Sequence, residues 1–366
     1  MDKKASLLQK WAYALIIVVL SYLILVEAKK ILVPVVLGLL LSYLLFPMVS
    51  FFEEKLKMPR SLSILLALLI GVALLGGLTN LFILQVKVFI RDFPVFKEQA
   101  ISNLQSWQLF IEKKFKFSTA DQEVWLQEQV TVLLDKSGQI LKQIVKGSLD
   151  TVEIILFIPI FSFFMLYYRD RGKNFVLKLA HERNSKLTSK LLEQISKVTI
   201  KYIVGVLTVV IILAICHSIA LSIIGVKYAI PLALLAAIFS FIPYFGTLTS
   251  GLIPLTFSLV FSVNPYQPLF VLIYFIFITF IDHNFLTPTI TGGNVSLNPL
   301  VTILGLIISA FVWGIPGMII VVPTLAVIKI ICDNVSGLEP YGYILGTEHH
   351  GVDISSLFKL FRKKKE

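Results

Sequence analysis

Between Lys201 and Lys329 the chain runs through more than a hundred residues with only two formal charges, Lys227 and Asp282, although charged residues are frequent on either side. A water-soluble fold of that length needs a charged surface, and this stretch cannot supply one. Hydrocarbon tolerates it, provided every backbone N–H and C=O is satisfied inside the structure. The chain as a whole agrees: 57% of its residues are hydrophobic, 15% are charged, and the mean hydropathy is +0.86. The pattern predicts an all-α polytopic membrane protein. A carboxylate inside such a stretch is costly in lipid, so it faces a cavity or a partner. Asp282 is therefore the first functional candidate.

The formal net charge of +11 does not imply a nucleic-acid partner. The basic residues sit in short segments flanking apolar runs, where topology and anionic headgroups account for them. Cys216 and Cys332 lie singly in apolar surroundings and read as small buried hydrophobes, with no disulfide, metal or cofactor expected. The first apolar run, Trp11 to Val26, ends without a small-x-small cleavage site, so it reads as a retained helix rather than a signal peptide.

Runs long enough to cross a bilayer begin near Trp11, Ile31, Ser61, Thr151 and Ile200. With the C-terminal half they predict about six to eight transmembrane helices. The expected organisation is three helices in 1–86, an extracytoplasmic amphipathic helical insert in 87–150, a fourth helix and a basic cytoplasmic loop in 151–199, a core transport region in 200–331, and a cytoplasmic tail in 332–366. Lys and Arg outnumber Asp and Glu between Arg169 and Thr199, which puts that loop and both termini on the cytoplasmic side. In the insert, Ile101, Leu104, Trp107 and Ile111 repeat at helical spacing.

The C-terminal half does not divide into clean spans. Segment 229–263 is broken at Pro243 and Gly246 and again near Pro254; segment 299–331 is broken at Pro316 and Gly317 and again near Pro323. Each has an Ile-Pro followed by Gly, and they flank one run, Leu269 to Ile281. Paired Gly/Pro-interrupted segments at membrane depth point to a binding site, because unwound backbone and half-helix ends hold solute or ion there. Re-entrant hairpins are the expected form, with long kinked crossings as the alternative.

Phe241-Ile242-Pro243-Tyr244-Phe245-Gly246, then Ile281 to Gly292 with Val295-Ser296-Leu297-Asn298-Pro299, then Gly314-Ile315-Pro316-Gly317 and Val322-Pro323, resemble in order the motifs of the autoinducer-2 exporter family of bacterial inner-membrane proteins. The resemblance implies export of a small polar solute, or sodium (lithium)/proton antiport, by alternating access of elevator type in a homo-oligomer, a pentamer. It also implies the inner membrane as location. Asp282 stands where the family pattern more often has Glu, His283 where Gly is common, and Asn298 where His is common, which leaves the coupled ion open.

Asp282 can bind a cation or carry a proton, since burial and a neighbouring cation move its affinity for protons in opposite directions. Asn284 and Thr287 supply neutral oxygens beside it, and Pro288 and Gly292 free carbonyls. Thr247 and Asn298 complete the expected solute or ion site, while Pro243, Gly246, Pro254, Pro288, Pro299, Pro316, Gly317 and Pro323 serve as hinges or helix breaks. His217 reads as a hydrogen-bonded interior residue. An intramembrane aspartyl protease would need a second carboxylate, and a serine protease would need Ser250 to meet His217. A passive oligomeric channel is the stronger rival, but it calls for polar rings around an axis rather than polar groups gathered at helix breaks.

Overall fold

The computed structural model describes residues 7–77, 152–243, 245–262, 266–292 and 297–347, together with Asn264 and isolated positions between 79 and 102. Apart from those positions, the expected insert at 87–150 lies outside the described residues, as does the tail beyond 347. Twelve α-helices make up what is described. Helices α1 (Leu7–Glu27) and α2 (Lys29–Glu54) are separated by a turn at Ala28. A turn with Lys57 in the left-handed region leads to α3 (Arg60–Gly77). Helices α4 (Val152–Tyr167), α5 (Arg169–Leu179) and α6 (His181–Ile223) follow; then come α7 (Ala229–Phe239), α8 (Phe245–Phe261), α9 (Gln267–Ile281), α10 (Pro299–Trp313), α11 (Ile315–Asn334) and α12 (Glu339–Leu345).

Among the described residues, five helical segments are apolar and long enough to cross a bilayer: Lys29–Glu54, Arg60–Gly77, Ser185–Ile223, Gln267–Thr291 and Ile315–Asn334. Their outer faces carry exposed leucines, isoleucines and phenylalanines, as lipid contact requires. At 43 residues α6 is about 64 Å long, twice the hydrocarbon thickness and so longer than one crossing needs, with its basic residues gathered in its first half.

Two cores hold the molecule together. In the first, Leu45 and Val49 of α2, Ile64, Ala67 and Leu68 of α3, and Leu166 of α4 bury one another. Gly38 lets α4 approach α2 closely, and Ser162 Oγ donates to the Gly38 carbonyl at 2.6 Å. The second core gathers Val209, Leu213 and Leu221 of α6, an alanine-rich face of α7, Phe257 of α8, and Val271, Phe275 and Ile278 of α9. His217 is buried here, its Nδ1 2.8 Å from the Tyr274 hydroxyl, as an interior histidine should be.

Both interrupted segments fold back on themselves. In α7–α8, Tyr228 stacks edge-on against Phe257 at one end and Phe239 meets Gly246 at the other, the pairing of antiparallel arms. At 11 residues, α7 reaches only about 16 Å, half the bilayer core. In α10–α11, Gly305 lies against Val321 and Leu325, and Ser309 against Gly317, around an apex at Gly314 with φ +67°. Two expectations need correction. Pro254 and Pro323 do not break their helices: each stays inside α8 or α11 with its ring buried against protein. The Leu269–Ile281 run does not stop at Ile281 either. It continues through π-helical turns at Asp282–Leu286 and Pro288–Gly292, which keep the polar stretch helical by i→i−5 bonding such as Thr287 N–H to Asp282 C=O.

Candidate functional site

A cavity of about 290 Å³ opens where the π-helical end of α9 meets α6 and both hairpins. Tyr202, Val206 and Val209 come from α6, at a spacing that puts them on one face. Ser240, Phe241 and Pro243 come from the α7–α8 turn, Asp282, His283, Thr287 and Thr291 from the π-helical segment, and Leu297, Thr302 and Val322 from the second hairpin and its approach. Gly205 makes the junction possible. A Cβ there would sit 2.9 Å from Thr291 Cα and 3.2 Å from the Ile290 carbonyl oxygen, so a larger residue would push the segment away.

Asp282 is 6% exposed, and it makes no ion pair among the described residues. Its Oδ1 accepts a 2.7 Å hydrogen bond from Thr287 Oγ1. The spacing of five residues that joins them is one turn of a π-helix, so the backbone irregularity and the side-chain pair are one feature. Three further hydroxyls have their protons committed. Thr291 Oγ1 donates to Thr287 C=O at 2.6 Å, Ser240 Oγ to Ala236 C=O at 3.1 Å and Thr302 Oγ1 to Asn298 C=O at 3.0 Å. Their oxygens keep lone pairs, so Asp282 and its neighbours form a lining rich in acceptors. Such a lining suits a cation, a proton or a solute that brings hydroxyl donors.

The expected site residues separate into distinct places. Thr287 joins Asp282, and Pro243 lines the cavity. Asn284 does not join them: it is exposed and its Nδ2 donates to Phe280 C=O at 2.8 Å, because two helical steps turn it to the far side of Asp282. Asn298 is a helix cap rather than a ligand. Its Oδ1 accepts from Leu300 N–H at 3.0 Å, its N–H donates to Leu345 C=O at 2.8 Å, and Pro299 follows in the first turn of α10. Gly292 ends the second π-helical turn, which Pro288 begins. The Thr247 side chain lies outside what is described. Gly246 and Gly317 allow close approach of hairpin arms: a Cβ would overlap the carbonyl oxygen of Phe239 or of Ser309. Pro316 lies in the first turn of α11.

Sequence reasoning missed Tyr202, Ser240, Thr291 and Thr302. A hydroxyl in an apolar run is common enough in membrane helices to carry no signal until its face is known to meet Asp282.

A polytopic helical protein with a cavity that holds a buried carboxylate at two helix breaks belongs to the class of membrane transport proteins. The comparisons with known proteins agree. The chain belongs to the AI-2E family of transporters, whose family model matches residues 14–337. It is similar to YrrI of Bacillus subtilis, described as a candidate transport protein, with 27% identity over 314 residues that cover 82% of this chain and 86% of that one. It is also similar to YueF of the same organism, described in the same way, at 26% identity over 81% of this chain and 82% of the relative. The AI-2 transport protein TqsA of Escherichia coli is 30% identical over 125 residues, 34% of this chain and 36% of TqsA.

Proposed function

We propose that this protein is a secondary transporter that moves a small hydroxylated solute across the membrane by alternating access, with Asp282 as the group that exchanges a proton as solute binds and leaves. One observation carries the reading: a buried carboxylate with no cationic partner among the described residues faces a cavity lined by hydroxyl groups from both hairpins and α6. A solute with hydroxyl donors can hydrogen-bond to the Asp282 carboxyl group, which lines the cavity. The cavity, at about 290 Å³, has room for a small polyol with its hydration partly retained. The name of TqsA, an AI-2 transport protein, supports a solute of the autoinducer-2 type. Exchange of a monovalent cation for protons is the second reading, favoured by the same acceptor lining.

The protein is placed by this reading in the bacterial inner membrane, with both termini cytoplasmic and several copies associated, as the basic loop and the family resemblance suggest. Reconstituted vesicles test it. An imposed proton gradient is expected to drive accumulation of an autoinducer-2-type solute, or of sodium or lithium in the second reading. Asp282→Asn, which keeps size and removes charge, is expected to abolish the gradient-driven part while the protein still inserts. Unchanged flux and unchanged pH dependence in that variant would overturn the assignment, and single-channel currents would show a pore instead.

A further inference from the structure

The cytoplasmic-side elbow between α4 and α6 has features that the transport cavity does not use. Helix α5 buries none of its residues, although it sits between two packed helices. Phe175 is 65% exposed and Leu179 63%, with Val176 and Gly172 on the same face at helical spacing. Basic residues border this apolar face on both sides, Arg171 and Lys178 along one edge and Arg169 and Lys173 along the other. That is the distribution of a helix lying in the plane of a membrane surface, with its apolar face in the acyl boundary and its cations at the phosphates.

The tertiary structure sets the height of α5. Arg60, the first residue of α3, donates to Asp170 Oδ2 at 2.6 Å and to Leu166 C=O at 2.8 Å, and Arg169 donates to Glu53 at the end of α2. These bonds tie the start of α5 to the α2–α3 turn, where two membrane-crossing helices end and where Lys55 and Lys57 are exposed. Tyr167 and Tyr168 stand at the same level, and Arg171 lies over the Tyr168 ring at 5.5 Å. Aromatic residues beside cations mark a headgroup layer. Asp170 is engaged by Arg60, and Glu193 is exposed further along α6.

We propose that α5 is a membrane-surface helix that docks anionic phospholipid, with headgroup phosphates held by Arg171 and Lys178 along one edge of its apolar face. Because a single residue, Ala180, joins α5 to α6, and α6 forms one wall of the transport cavity, the lipid holds the elbow from which that wall rises. The reading is independent of which solute is carried.

Thermal unfolding of the full-length protein in neutral detergent tests it, with short-chain phosphatidylglycerol, phosphatidylcholine and inorganic phosphate as the added probes. Phosphatidylglycerol is expected to raise the midpoint by a few degrees in a saturable way, and the other two are not. Arg171→Gln with Lys178→Gln is expected to weaken phosphatidylglycerol binding about 25-fold, about fivefold for each charge removed from the surface. Lys197→Gln with Lys201→Gln, more than a Debye length further along α6, is expected to leave binding within about twofold of the parent. An equal shift with phosphatidylcholine would show a mere lipid-solubility effect, and a shift reproduced by inorganic phosphate would show a free-anion site. Either result overturns the proposal, as does undiminished binding in the Arg171/Lys178 variant or equal loss in the two double variants.

Discussion

At the scale of single residues the molecule concentrates its unusual chemistry on Asp282 and Thr287. A buried carboxylate with one hydroxyl donor is poorly compensated, so that donor matters more than a surface bond would. Thr287→Val keeps the shape and removes the donor. It is expected to reduce gradient-driven flux about tenfold in vesicles, for a lost bond to a charged group of about 1.5 kcal/mol, without preventing insertion. Thr287→Ser is expected to restore most of the flux. A different carboxylate reports on stability alone. The hydrogen bond from Arg60 holds the Asp170 carboxyl below its ordinary value of 3.8, so the stabilisation is present above that value and is lost as pH falls through the lowered one. Because Asp170 is largely exposed, Asp170→Asn is expected to cost no more than about 1 kcal/mol at pH 7, seen as a small drop in the unfolding midpoint. The difference from the parent should vanish in strong acid. Asp282 was legible in the sequence because a lone charge in an apolar stretch is rare, whereas Asn284 was not separable from it: only the direction of each side chain around the helix decides which one meets the cavity.

At the scale of elements, the two hairpins depend on glycines at which the arms touch. Gly246→Ala and Gly317→Ala each put a methyl group into a backbone carbonyl, and the arms must part to accept it. Each is expected to destabilise by about 1–3 kcal/mol, outweighing the gain from replacing a helical glycine, and to lower flux. Gly172→Ala in α5 has nothing within contact distance of the added methyl, and it is expected to be neutral or to stabilise by up to about 1 kcal/mol. Unfolding midpoints of the three variants, measured side by side, check this ordering. The breaks at Pro243-to-Gly246 and Pro316-Gly317 could be read from composition, since such pairs end helices. Pro254 and Pro323 look the same in sequence and behave differently, because their rings are buried in protein and the helix carries through. The π-helical turns left no mark that periodicity could detect.

At the scale of the whole molecule, one core joins α2, α3 and α4 and another joins α6 to α9, with the cavity on the side of the second. Helix α2 also touches α6 and α11, so relative movement of the two groups would have to slide along α2. A disulfide introduced between α2 and α6, at positions whose Cα atoms come within reach, is expected to block flux reversibly, with recovery on reduction. Flux that continues in the oxidised protein would place the moving parts elsewhere. The sequence alone determined that this chain is a helical membrane protein with two interrupted segments around one acidic residue, because hydrocarbon forbids exposed charge and unsatisfied backbone and so leaves few alternatives. Which oxygens surround Asp282, and that Asn298 caps a helix instead of binding, were decided by tertiary structure. Those outcomes depend on the rotation and approach of helices, set by contacts between small residues such as Gly205 and Thr291 that lie far apart along the chain.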